Sequence, residues 1–125
     1  MSALYLKGLE LFNLEQFYDC HDALEELWLE DFSQDRSYYQ GLIQVAVGFY
    51  HVTDGKLGAA RSMLQRGLEK LRHYPPEHRG VQLQAFREEV ENCKSRLDAL
   101  IPQKGEVDFA FPKINYDPRR LAGNS

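Results

Sequence analysis

From Ser37 to Thr53 the chain carries Leu42, Ile43, Val45, Ala46, Val47, Phe49 and Val52. Successive residues of an α-helix are ~100° apart, so these side chains leave almost no arc of such a helix polar. A helix without a wet face needs neighbours on several sides and belongs in the middle of a bundle. The rest of the sequence must supply amphipathic helices to cover it, and the apolar spacing does so.

A first helix is predicted from about Ala3 to Phe12, with Leu4, Gly8, Leu11 and Phe12 as its inner stripe, and a second from about Glu15 to Glu30. The polar stretch Asp31–Asp35 separates the second from the central helix. Asp54-Gly55 ends the central helix, with Gly55 as the left-handed stop. The fourth, about Leu57 to His73, carries Leu57, Ala60, Leu64, Leu68 and Leu71 at helical spacing and ends at Pro75-Pro76. The fifth, about Val81 to Leu100, alternates steps of three and four through Leu83, Phe86, Val90, Cys93, Leu97 and Leu100. That is the narrow seam of an antiparallel helix partner.

The expected fold class is therefore all-α: a compact single-domain bundle of about five helices over residues 1–104. An extended C-terminal tail follows over 105–125 and packs on the bundle or on a neighbouring subunit. The tail is too apolar for a free linker, with Val107, Phe109, Phe111, Pro112, Ile114 and Tyr116. Leu121 to Ser125 is expected to be loose. An aromatic–turn–helix pattern around Phe12 to His21 recurs around Tyr50 to Ala60. Two copies are too few for a solenoid, and ordinary antiparallel helix pairs are the simpler reading.

A chain of 125 residues is long enough to bury a core without disulfides or structural metal. Its net charge of -4 disfavours nucleic acid, whose binders usually present a basic patch. The two cysteines, Cys20 and Cys93, have no metal-ligand spacing and fit a reducing, cytoplasmic setting. No basic segment with a following apolar run suggests a signal peptide. No apolar run approaches membrane-span length, so no membrane partner is expected.

The chemically suggestive segment lies on the second helix. Phe17, His21, Leu24, Glu25 and Trp28 fall on one arc, and Asp19, Ala23, Glu26 and Glu30 on the other. This wheel turns His21 and Glu25 inward with the aromatics. An inward carboxylate must be paired, hydrogen-bonded or protonated, and His21, one turn earlier, is its natural partner. On the central helix Gln44 and His51 share a face with Gly41 and Gly48. Each interior glycine costs a helix roughly 1 kcal/mol relative to alanine, which is understandable where a backbone or ligand comes close. The expectation is that His21 and Glu25 face Gln44 and His51 across the second and third helices. A metal reading lacks the second histidine of His-Glu-x-x-His and the Glu-x-x-His pairs of di-iron bundles. Catalysis by His21 lacks an evident nucleophile. His73 and His78, beside the proline turn, read as solvated. Tyr38-Tyr39 reads as core or interface.

Three stretches resemble the domain of unknown function 309 family of small bacterial and archaeal proteins. Leu11-Phe12-Asn13 with Phe17–Trp28 is similar to its aromatic pair leading into His-Glu-x-x-Glu-x-x-Trp. Gly41–Ala46 with His51 resembles a second block, and Gly58-Ala59-Ala60 with Leu64 and Leu71 a third. The likeness covers roughly residues 8 to 80, with Pro112 and Ile114 also fitting. Asp22 departs from it, shortening the reach of a carboxylate that is usually glutamate. The resemblance implies a compact helical bundle and no established activity. It marks His21, Glu25, Trp28, Gln44 and His51 as the positions to watch.

Three readings stay open, and whether the chain is an enzyme stays open with them. The leading one is a cytoplasmic module binding a small molecule or protein partner through a His/Glu/Gln pocket between helices two and three, with Trp28 among its lining residues. The second is a metal-dependent or histidine-based hydrolase using His21, Glu25 and His51. The third is a structural homo-oligomer with a buried polar network. No metal or cofactor is specified by the pattern.

Overall fold

The computed structural model describes residues 3–101 and 110–121. Five helices account for most of them: α1 Ala3–Asn13, α2 Phe17–Glu30, α3 Arg36–Thr53, α4 Leu57–Leu71 and α5 Leu83–Leu100. As the sequence predicts, α3 is the central element. It packs against α2 on one side and α4 on the other, while α1 covers α2 and α5 covers α4. The two outer helices meet through Phe12 and Phe86, whose rings stand edge to face at 5.3 Å. Phe12 also meets Phe17 at 5.2 Å and Phe49 at 6.0 Å, so four helices share one aromatic centre.

The glycines of α3 are explained by α4. A Cβ on Gly41 would stand 2.8 Å from Leu71 Cδ2, and one on Gly48 2.7 Å from Leu64 Cδ2. A Cβ on Gly67 of α4 would stand 2.8 Å from the Gly41 carbonyl oxygen. The approach that the interior glycines imply is thus helix backbone against helix backbone. A ligand is not needed to account for them.

The recurrence of Phe12–His21 at Tyr50–Ala60 is realised bond by bond. The α1–α2 turn has Leu14 N–H on the Glu10 carbonyl (3.0 Å) and Gln16 N–H on that of Leu11 (3.0 Å). Forty residues on, Asp54 N–H reaches Tyr50 (3.1 Å) and Lys56 N–H reaches His51 (2.9 Å). Glu15 (φ 62°) and Gly55 (φ 74°) occupy the same left-handed position. The packing repeats as well, because a Cβ on Gly8 would strike Leu24 as one on Gly48 would strike Leu64.

Two parts of the fold differ from the sequence reading. The fourth helix ends at Leu71 and the fifth begins at Leu83, because a small antiparallel hairpin intervenes. Its strands are β1 Glu77–His78 and β2 Val81–Gln82. The two-residue turn between them has Arg79 at φ 46° and Gly80 at φ 79°, as a tight hairpin with two left-handed residues requires. The tail then crosses this hairpin. Val81 bridges Tyr116, Gln82 N–H donates to the Asn115 carbonyl, and Asp117 N–H to that of Gly80. The Asn13 side chain exchanges two hydrogen bonds with the Ile114 backbone, at 2.9 and 2.7 Å. Leu121, expected to be loose, is buried. Its carbonyl accepts from Arg79 Nε (3.1 Å) and Nη2 (2.9 Å). Val107, Phe109 and residues 122–125 lie outside the described residues.

Candidate functional site

On α2 the buried arc is Phe17, Cys20, Ala23, Leu24 and Leu27. It is turned toward Cys20 and Ala23 relative to the predicted wheel, because α1 and α3 both press on this helix. Glu25 is carried outward as a result, and its side chain is 50% exposed. The expected inward carboxylate is therefore a rim carboxylate. His21 sits at the boundary, with its side chain 23% exposed. Its Nε2 lies 2.9 Å from Glu25 Oε2, one turn along the helix. Its Nδ1 lies 3.3 Å from Asp22 Oδ1 but outside hydrogen-bonding geometry, and that nitrogen is buried without a hydrogen-bond partner.

His51, near the end of α3, has the same condition: its Nδ1 is buried and unpaired. A run of rings joins the two imidazoles. Tyr18 lies 5.6 Å from His21 and 5.5 Å from Tyr50, and Tyr50 lies 6.2 Å from His51, all centre to centre. Tyr18 and Tyr50 are exposed. Two tyrosines open to water thus line the α2–α3 rim, with His21 beside Tyr18 and His51 next to Tyr50.

The structure separates two of the predicted residues from this strip. Gln44 turns to α4, where its Oε1 accepts a 2.9 Å hydrogen bond from Lys70 Nζ. It therefore leaves the proposed pairing with His21 and Glu25, for the same reason that Gly41 and Gly48 do: this face of α3 is the α4 contact. Trp28 belongs to the α2–α3 connection. The Arg36 guanidinium lies 4.1 Å from the Trp28 ring centre and 4.7 Å from that of Phe32. Its Nη1 donates to the Trp28 carbonyl at 2.7 Å, so Arg36 satisfies a backbone oxygen of the last turn of α2.

A second polar cluster, around the hairpin, was not foreseen. His78, read as solvated, is largely buried, with Nε2 2.7 Å from Asp35 Oδ1. Tyr38 packs edge-on against the His78 ring at 4.7 Å, and its hydroxyl is 2.7 Å from that of Tyr5. Arg79 stacks on Tyr5, 4.3 Å from its ring centre, and Arg79 Nη1 donates to the Tyr39 hydroxyl. Burial pushes the hydroxyls of Tyr5, Tyr38, Tyr39 and Tyr74 above their ordinary range, keeping them neutral donors. The partners are 33 to 74 residues apart in sequence. Only the run of tyrosines and the hairpin-compatible Arg79-Gly80 could have signalled the cluster. Its bonds are mutual, and it locks the hairpin to α1 and α3.

The chemistry available at the rim is limited. Cys20, the nearest thiol in sequence to His21, is buried, and desolvation pushes its thiol up to about 12. It is no nucleophile, since the reactive form is the thiolate. Among the described residues, no group of three or more His, Cys, Asp or Glu side chains is placed to hold a metal ion. Nor, among them, is any helix long and apolar enough to cross a membrane. An open groove between α4 and α5, lined by residues including Gln65, Arg72, Arg87 and Glu91, is a separate feature with mixed charge.

The architecture is an all-helical bundle of two matched hairpins closed by a fifth helix, with histidines and tyrosines on the α2–α3 rim. Residues 5–63, which span both hairpin turns and the rim, match the model of the family described as Domain of unknown function (DUF309). The chain is similar to Uncharacterized protein YpuF of Bacillus subtilis (strain 168), 27% identical over 111 residues. That match covers 78% of this chain and 62% of the relative. It is also similar to an uncharacterized protein of Aquifex aeolicus (strain VF5), 29% identical over 86 residues, covering 66% of this chain and 26% of that protein. The chain thus spans less than two thirds of each of these relatives.

Proposed function

We propose that the chain is a binding module whose contact surface is the α2–α3 rim of Tyr18, His21, Tyr50 and His51. The observation that supports this most is the pair of buried, unpaired Nδ1 atoms beside the exposed tyrosines of the rim. Buried polar atoms are nearly always satisfied, and an orphan beside solvent-facing rings is satisfied most simply by a group that arrives with a ligand. Two flat rings supply apolar area, and the imidazoles supply direction. This narrows the predicted pocket to His21 and His51, sets Glu25 as the carboxylate beside His21, and assigns Trp28 and Gln44 to the scaffold.

The test separates binding from structure. Were His21 and His51 part of a satisfied network, their removal would leave partners unpaired at about 1–3 kcal/mol each. The binding reading expects His21→Ala and His51→Ala to melt within about 0.5 kcal/mol of wild type. It further expects a library of phenolic and heteroaromatic carboxylate fragments to move the side-chain nitrogen signals of both histidines in NMR spectra. Large losses of stability in both variants, with histidine signals inert to every fragment, would end the proposal.

A further inference from the structure

The outer face of α2 carries a second pattern. Tyr18, Asp22, Glu25 and Leu29 follow at steps of four, three and four, so they form one line along the outside of the helix. Phe32 lies just past the helix end, where Asp31 is extended, and the Phe32 ring centre stands 4.7 Å from the Arg36 guanidinium. Tyr18 is 54% exposed, Leu29 57% and Phe32 80%. Single exposed apolar residues are ordinary, but Tyr18 and Leu29 bracket Asp22 and Glu25 at the spacing of a coiled-coil seam turned toward solvent, with Phe32 exposed beyond the helix end. Asp19, Glu26 and Glu30 border the line. The helix contains no lysine or arginine. Among the described residues, no Lys or Arg stands within ion-pair distance of Asp19, Asp22, Glu25, Glu26 or Glu30.

We infer that this line docks a basic amphipathic helix of another protein. Apolar side chains of the partner meet Tyr18 at one end and Leu29 and Phe32 at the other. Lysines or arginines between them reach Asp22 and Glu25, and flanking bases reach Asp19, Glu26 and Glu30. Charge selects this occupant. Covering five carboxylates with an apolar or acidic surface would leave them desolvated and unpaired. A second copy of the chain presenting the same face would set acid against acid across a two-fold axis. From Tyr18 to Leu29 the line is ~17 Å long at 1.5 Å per residue, so a helix of about four turns spans it together with Phe32. The inference rests on reading the chain as a binding module and adds the chemistry of its partner.

The probe is a synthetic peptide of leucine, lysine and alanine, with leucine, lysine, lysine, leucine and leucine at steps of four, three, four and three. It is titrated into the full isotope-labelled chain. The expected result is amide shifts confined to α2 and the turn after it, with affinity falling about tenfold or more between low and high salt as screening rises. Leu29→Ser should weaken binding about fivefold or more while melting like wild type, because Leu29 is exposed, and Phe32→Ser should weaken it at a small cost in stability from its lost contact with Arg36. Asp22→Lys with Glu25→Lys should abolish it and create binding of the glutamate-for-lysine peptide. No shifts at low salt, shifts scattered over the surface, or indifference to the charge reversal would overturn the inference. So would a wild-type dimer that Phe32→Ser converts to monomer, which would give the face to a second copy. Histidine signals that respond to fragments while the peptide fails would remove this inference and leave the binding module standing.

Discussion

At the scale of single residues, the two cysteines behave as small hydrophobes. Burial pushes Cys20 up to about 12 and Cys93 up to about 11. Aromatic disulfide reagents at pH 8 should therefore leave both thiols unmodified until denaturant is added, and rapid labelling of either in the folded chain would contradict the buried assignment. The glycines give a second residue-scale prediction. Gly67→Ala must fit a methyl group 2.7 Å from Val45 Cγ2 and 2.8 Å from the Gly41 carbonyl oxygen, one of them rigid backbone. Overpacking of this kind costs about 1–3 kcal/mol. Gly58→Ala, on α4 with nothing within 4 Å of the added methyl, should gain about 0.4–1 kcal/mol by restricting the unfolded chain. Chemical denaturation of the two variants reads both signs. Sequence alone found that the interior glycines of α3 needed a close neighbour. It could not say which, since the choice between a ligand and α4 lies in the pairing of distant helices.

At the scale of elements, helix identity was legible but inner faces only in part: on α1, Tyr5 and Leu9 are buried with Gly8 and Phe12, in place of the Leu4 and Leu11 that the spacing picks. The stripe of α5 is buried from Leu83 to Leu97 as its spacing predicts, and the continuous apolar surface of α3 is enclosed. The reading drifted on α2, where pressure from both α1 and α3 turns the buried arc and releases Glu25 to the rim. The β1–β2 hairpin was missed because its strands are two residues each, too short for an alternating pattern. The hairpin nonetheless depends on one unusual choice. Arg79 holds a left-handed conformation that bulky residues rarely adopt. Its guanidinium repays that strain through Leu121, Tyr39 and the face of Tyr5. Arg79→Gly should keep the turn but free the tail, so hydrogen exchange should speed up at Asp117 and Arg120 while α3 amides stay protected. Uniform loss of protection would show instead that the latch and the core unfold together.

At the scale of the whole molecule, the polar cluster around the hairpin sets the response to alkali. The hydroxyls of Tyr5, Tyr38, Tyr39 and Tyr74 and the thiols of Cys20 and Cys93 all have folded values above their ordinary ones. The folded chain then keeps protons that the unfolded chain releases, so these groups contribute stability that is fully present below about pH 8.5. It is lost as pH rises through the ordinary thiol and phenol values toward the folded ones. Urea midpoints should hold level between pH 7 and 8.5 and fall steadily by pH 10.5, with the tyrosinate absorbance of the buried rings appearing only on unfolding. A midpoint that is flat to pH 10.5 would contradict the burial of these groups. The repeated turn belongs to this scale as well. Two hairpins forty residues apart share bonds, dihedral angles and a glycine-to-leucine contact, and α5 closes the end of the stack as a capping helix does in longer helical arrays.

Placing α3 between α2 and α4 also fixes how charge is distributed through the protein. α2 has five carboxylates and no lysine or arginine, whereas α4 has Arg61, Arg66 and Lys70 against Glu69. The bundle is consequently an electric dipole with its negative pole on the α2 side. An approaching cationic body is turned toward that pole before any contact forms, and the fraction of collisions that arrive in a productive orientation rises. The arrangement of three neighbouring helices therefore governs how quickly an encounter occurs and how strongly that speed depends on the ions in solution.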